Sequence, residues 1–238
     1  MNNVVATYKQ NSNLVVLEGG FGQRKRPTAS PFKNNGVRKA VAADPIRSAE
    51  DIKHLLTRLK DTNIQHYTLV SLGLTLGIRA GDLIALKVSD VYTEAGTVRE
   101  YLEIYEEKTG KRNRLLITEG ARTVLVEYGK KFNFDHDSLN RPLFKSRNGN
   151  KAMTISGLNR MLKRNCSALG ITGHISSHTL RKTFVYHCIQ QNKGNWDALF
   201  TIQSMLNHAS FKTTLTYCGI EQDDEDKLRA GMASVILG

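Results

Sequence analysis

Residues 63–76 form the most constraining stretch of the chain, because they are apolar nearly all round. A helix without a polar face must be enclosed by other elements, so the rest of the chain has to wrap around it. Gly77 follows and suits a left-handed helix end. Upstream, Ser48 with Asp51 three residues later reads as a helix start, and Ile52, Leu55, Leu56 and Leu59 make its apolar stripe. A short helix is expected over about 80–87. The period then changes. Tyr101 to Glu106 alternates around Leu102 and Ile104, Thr109-Gly110 turns, and Arg114 to Ile117 returns, which reads as a β-hairpin. Thr118 is expected to cap a helix reaching about Lys130, and residues 132–153 read as loop. Thr154 is expected to cap a helix carrying Ile155, Leu158, Met161, Leu162 and Leu169. Another helix runs from Ser177 to about Gln191, and a further one carries Leu199, Ile202, Met205 and Leu206. The expected fold is mainly α with a small antiparallel β-sheet.

Charge is distributed unevenly. The net charge is +12, and residues 221–238 hold five acidic against two basic residues, which leaves residues 1–220 at about +15. Such a surface favours a polyanionic partner, nucleic acid above all. The organisation expected is a basic arm over 1–45, one domain over 46–220, and an acidic linker with an apolar helix over 221–238. The arm contains Arg24, Lys25 and Arg26 and reads either as an idle solvated tail or as a grip on the DNA backbone. Cys166, Cys188 and Cys218 are scattered and odd in number, which fits a reducing compartment. The first twenty residues hold no apolar run long enough for a signal peptide or membrane span, so a cytoplasmic location without membrane contact is expected.

Six polar residues stand where an amphipathic core does not require them. Arg79 follows the buried helix in Leu76-Gly77-Ile78-Arg79-Ala80-Gly81-Asp82, where a salt bridge to Asp82 is the plain structural alternative. Lys108 lies just before the hairpin turn, with Lys111 close enough to rival it; either could be an ordinary exposed lysine. His178 and Arg181 are spaced to share one helix face. His208 sits in Leu206-Asn207-His208-Ala209-Ser210, a stretch that also suits a helix end. Tyr217 follows nine residues later and could be half-buried packing.

Taken in order, these residues are more specific than any one of them. GIRAGDLIALKVSDV, EKTGKRNRLLIT, HTLRKTF and LNHASFKTTLTY resemble four successive boxes of the tyrosine recombinase (phage integrase) family, over about residues 48–220. Two positions depart from that pattern: Asn207 stands where the family usually has Gly, and Lys182 where it often has His. Only about 47 residues precede the matched region, where many members carry a helical core-binding domain, so the chain resembles short forms with essentially the catalytic domain alone.

The resemblance implies that fold and a catalytic set of Arg79, Lys108, His178, Arg181, His208 and Tyr217. It implies cleavage and rejoining of double-stranded DNA through a 3′-phosphotyrosyl bond to Tyr217, with no metal, ATP or other cofactor. Arg24, Lys25, Arg26 and Lys111 are the expected backbone contacts. A homo-oligomer on DNA, dimer or tetramer, and accessory DNA-bending proteins are the expected partners. Two other readings stay open here. One is a type IB topoisomerase-like relaxer with similar chemistry. The other is a non-catalytic DNA-binding regulator, in which the helices around 197–217 form a helix-turn-helix.

Overall fold

The computed structural model describes residues 42–105, 110, 112–134, 136–147, 149, 151–206, 210–218, 226 and 229–232. The chain divides into two units, Met1–Ala40 and Val41–Gly238. The first, with Arg24, Lys25 and Arg26, lies outside the described residues, and the rest concerns the second.

Helix α1 (Ala49–Thr62) starts where the Asp51 amide donates to the Ser48 hydroxyl at 3.1 Å. Helix α2 (Ile64–Leu76) starts where the His66 amide donates to the Asn63 side chain, and stops at Gly77 with φ 61°. Thr68 to Gly73 and Leu76 are all buried, as the missing polar face requires. Around α2 pack α1, α3 (Ala80–Ala85), α5 (Glu119–Phe132) and α7 (Ser177–Gln191). Gly73 makes the α7 contact possible: a Cβ there would lie 2.7 Å from a Leu180 methyl.

A four-residue helix, α4 (Val88–Val91), follows α3 and was not expected; Val88 and Val91 bury against the core, a run too short to show a period. Strands β1 (Tyr101–Tyr105) and β2 (Arg112–Leu116) pair antiparallel, Tyr101 opposite Leu116 and Tyr105 opposite Arg112. Leu102 and Ile104 face the core, whereas Tyr105 and Leu116 are exposed. The return strand starts two residues earlier than the apolar pattern indicated, because Arg112 and Arg114 pair with Glu103 across the ladder.

Helix α5 begins after Thr118, but without the expected side-chain cap. Residues 132–153 are mostly loop, yet Leu143 and Phe144 are fully buried. Gln65 anchors this loop, donating to the Lys145 carbonyl at 2.9 Å and accepting from its amide at 3.0 Å. Thr154 caps α6 (Ile155–Ala168) as expected, accepting from the Gly157 amide. Ile155, expected in the apolar stripe, is instead exposed at the helix start.

The last described helices, α8 (Trp196–Leu206) and α9 (Phe211–Cys218), form a smaller core with α7. Val185, Ile189, Leu199, Ile202 and Leu206 are its buried residues, and Tyr217 packs on it. Met205, expected on the buried face, is 43% exposed.

The end of the expected arm is part of the domain. Ala43 and Ile46 are buried, the Ile46 amide donates to Thr183 Oγ1 on α7 at 2.9 Å, and Asp44 and His174 exchange two hydrogen bonds. Near the C-terminus, Asp226 and residues 229–232 are helical and Met232 is exposed. Leu228, Val235 and Ile236, further apolar residues of the expected C-terminal helix, lie outside the described residues.

Candidate active site

The site is built around the first half of α7. Ser176 caps this helix, accepting from the His178 amide, while the Thr179 hydroxyl accepts from the Ser176 amide. His178 is therefore fixed in the first turn with its side chain exposed. One turn on, Arg181 is only 8% exposed. Its Nη1 donates to the Gly77 carbonyl at 2.9 Å.

That bond joins two boxes lying 104 residues apart in the chain. Gly77 ends α2, and two residues later Arg79 forms the N-cap of α3, half-buried, with its carbonyl accepting from the Leu83 amide. Asp82 is buried in the first turn of α3. Gly77 adopts a conformation that L side chains rarely take, and a Cβ there would run into the Phe184 ring. The sequence marked Gly77 only as a helix end. The structure shows that it also lets α7 approach closely enough for Arg181 to reach its carbonyl.

The hairpin is brought to the same place. Asn113 and Leu115 of β2 line a cavity of about 40 Å³ together with Gly77, Ile78, Arg181 and Met205. Lys108 and Lys111, which the hairpin carries between its strands, lie outside the described residues, as does His208 between α8 and α9. Met205 also lines this cavity.

Tyr217 lies on α9, half-buried against the smaller core. Thr214, three residues before it, is fully buried. The ammonium of Lys182 lies 4.9 Å from the centroid of the Tyr217 ring, and Lys182 is only 8% exposed. Two consecutive basic residues of α7 are thus buried, Arg181 towards the end of α2 and Lys182 against the tyrosine ring. Sequence reasoning noted Lys182 as a departure from the family pattern and did not place it at the site. The available signal was a lysine two residues from both Leu180 and Phe184.

The described members of the expected set thus lie on α7 (His178 and Arg181), at the start of α3 (Arg79) and on α9 (Tyr217), and α3 and α9 both pack against α7. Chemically, the arginines offer planar, permanently charged donor forks for a phosphate, and the tyrosine offers an oxygen nucleophile. Among the described residues no group of three or more His, Cys, Asp or Glu could hold a metal ion, and no helix is long and apolar enough to cross a membrane.

The model of the Phage integrase family matches residues 47–223. The probable integrase/recombinase YoeC of Bacillus subtilis (strain 168) is 34% identical over 179 residues, 75% of this chain and 91% of that protein. The crystal structure of the XerA recombinase superposes with a TM-score of 0.57 at 27% identity, over 75% of this chain and 61% of that one. A lambda integrase dimer bound to a COC′ core site superposes with a TM-score of 0.55, over 76% of this chain and 49% of that one; at 18% identity it speaks for the fold alone. The chain spans nearly all of YoeC but about three fifths of the XerD relatives it matches. The expected fold, mainly α with one small antiparallel sheet in the manner of a tyrosine recombinase catalytic domain, is the one observed.

Proposed function

Since the chain belongs to the phage integrase family of tyrosine recombinases, we propose that it performs site-specific recombination with Arg79, Lys108, His178, Arg181, His208 and Tyr217 as its catalytic set. The carrying observation is the Arg181–Gly77 hydrogen bond, which ties the two arginine boxes together beside the tyrosine helix. In this reading the Tyr217 oxygen attacks a phosphorus of the DNA backbone. The P–O5′ bond breaks as the phosphotyrosyl bond forms on the 3′ side. The tyrosine proton passes to His178, and Lys108 protonates the leaving 5′-oxygen. Arg79 and Arg181 hold the two non-bridging oxygens, each contributing about 3 kcal/mol to the transition state, and His208 adds a hydrogen bond. A 5′-hydroxyl of another strand then reverses the chemistry, because the covalent ester preserves the bond energy. The arginines supply the charge a metal would otherwise bring, so neither metal nor ATP is called for. The relaxer and regulator readings are not favoured by the relatives, which are named integrases and recombinases.

The working assembly in this reading is a dimer or tetramer on double-stranded DNA in the cytoplasm, aided by DNA-bending proteins. The basic stretch before the domain, with Arg24, Lys25 and Arg26, and Lys111 on the hairpin grip the backbone. The apolar C-terminal segment of 221–238 docks on a neighbouring protomer. The direct test incubates the protein with a duplex library, denatures the mixture and sequences whatever DNA stays attached. One enriched site is expected with wild type and none with Tyr217→Phe. Equal recovery from both would reject the assignment.

A further inference from the structure

Arg181 and Lys182 are neighbours on α7, yet they face different elements. Arg181 reaches across to the end of α2. Lys182 turns to α9, where its Nζ lies 4.9 Å from the centre of the Tyr217 ring. That separation is within the range over which a cation is held by an aromatic face. Both partners sit on fixed backbone. Lys182 is flanked by Thr179 and Thr183, fully or almost fully buried, and Thr183 accepts the Ile46 amide. Tyr217 lies against the core of Val185, Ile189, Leu199, Ile202 and Leu206. Helix α9 is short, with Thr214 buried and Leu215 and Tyr217 packed on that core, so a single strong contact at its end has leverage on where the ring sits. Burying an ammonium is costly unless something compensates, and the electron-rich ring face does so in part.

We propose that Lys182 is a positioning residue for the nucleophile, holding the Tyr217 ring on its own domain through a cation–ring contact. This rests on the recombinase reading, in which Tyr217 is the attacking group. It assigns Lys182 a role distinct from phosphate binding: its charge acts on the tyrosine, and the arginines act on the DNA. An incoming strand then meets a ring already placed, and the ammonium on its face favours the electron-rich oxygen that attacks. An Arg keeps the charge and can also lie on a ring face, so it is the substitution that retains the contact.

The experiment pairs a rate with a spectroscopic probe. Single-turnover cleavage is measured on a nicked duplex of the captured sequence, with protein in excess, and binding is measured by gel shift. Lys182→Met should slow cleavage at saturating DNA by roughly tenfold and leave affinity within about twofold, while Lys182→Arg stays within about twofold in both. In free protein labelled with ¹³Cζ-tyrosine, the Tyr217 resonance, identified by its loss in Tyr217→Phe, should move in Lys182→Met and hold in Lys182→Arg. The proposal is overturned if Lys182→Met cleaves like wild type at saturation, if it loses affinity in place of rate, if Lys182→Arg is as slow as Met, or if the resonance stays put. Should Lys182→Met fail to fold by circular dichroism, Lys182→Arg decides: a rate near wild type supports the contact and a tenfold loss removes it. Absence of any adduct with wild type would instead reject the recombinase reading, and the resonance would still judge the lysine–ring contact.

Discussion

Helices α2 and α7 lie against each other, and both are largely buried, but their side chains differ in kind. The buried residues of α2 are Thr68, Leu69, Val70, Ser71, Leu72, Gly73 and Leu76, without a charge among them. Those of α7 include Ser177, Thr179, Arg181, Lys182 and Thr183 beside Leu180, Val185 and Ile189. Removing apolar area from water is what α2 contributes to folding. The charged turn of α7 does the opposite, because burying charge weakens a fold unless its interactions are very good. The contrast separates a helix that holds the domain together from one that, in the proposed recombinase reading, carries the reactive site.

Gly77 belongs to both helices' interests, so its loss should be the most damaging. Gly77→Ala forces a strained φ, collides with Phe184 and displaces the carbonyl that Arg181 uses. Thermal or urea unfolding should show a loss of about 3 kcal/mol or more, and the surviving folded protein should cleave DNA poorly. A stable, active Gly77→Ala would mean that the α2–α7 junction is looser than described.

Leu69→Ala sharpens the comparison on the α2 side. Leu69 is fully buried, and its truncation should cost roughly 2–5 kcal/mol in urea unfolding. Cleavage per folded molecule should stay near wild type at low temperature. A specific loss of cleavage would couple α2 to the chemistry directly.

Arg181→Met is the mirror experiment. Single-turnover cleavage should fall by roughly a hundredfold or more. Stability should fall by about 1–3 kcal/mol, because the Met side chain keeps the apolar contacts but leaves the buried Gly77 carbonyl without its donor. Severe destabilisation together with normal cleavage would invert the roles given to the two helices.

The smallest effect concerns Cys166, buried on α6, whose thiol is pushed up to about 11 mainly by burial, with Asp51 adding to it. Iodoacetamide at neutral pH should leave Cys166 unmodified in the folded protein and alkylate it in denaturant. The thiolate is disfavoured in the folded state relative to the unfolded one. The associated stability is therefore full below the free thiol's value and declines as pH rises from about 9 towards 11. Rapid labelling of the folded chain would contradict the packing of α6.

Much of this was legible in the sequence, for reasons that differ between elements. The ends of α2 and α7 and the caps at Ser48 and Thr154 were readable because capping is a local matter of one side chain and one amide. Helix α4 was not, since four residues show no period. Ile155 and Met205 fitted apolar stripes, yet a stripe cannot say where its helix leaves the core. Arg79, His178, Arg181 and Tyr217 could be named from the order of their boxes, and order carries no distances. That Arg181 bonds to Gly77, or that Lys182 lies on the Tyr217 ring, depends on helices meeting across more than thirty residues of chain, which no local pattern encodes.

The central claim is that the Tyr217 oxygen becomes bonded to DNA, and the direct measurement is its location by mass spectrometry. The adduct is trapped on the captured duplex, trimmed with nuclease, digested with protease and fragmented. A nucleotide joined through its 3′-phosphate to Tyr217, with a free 5′-hydroxyl on the released strand, is the predicted result. A nucleotide on any other residue, a 5′-phosphate linkage, or cleavage without an adduct would contradict the account.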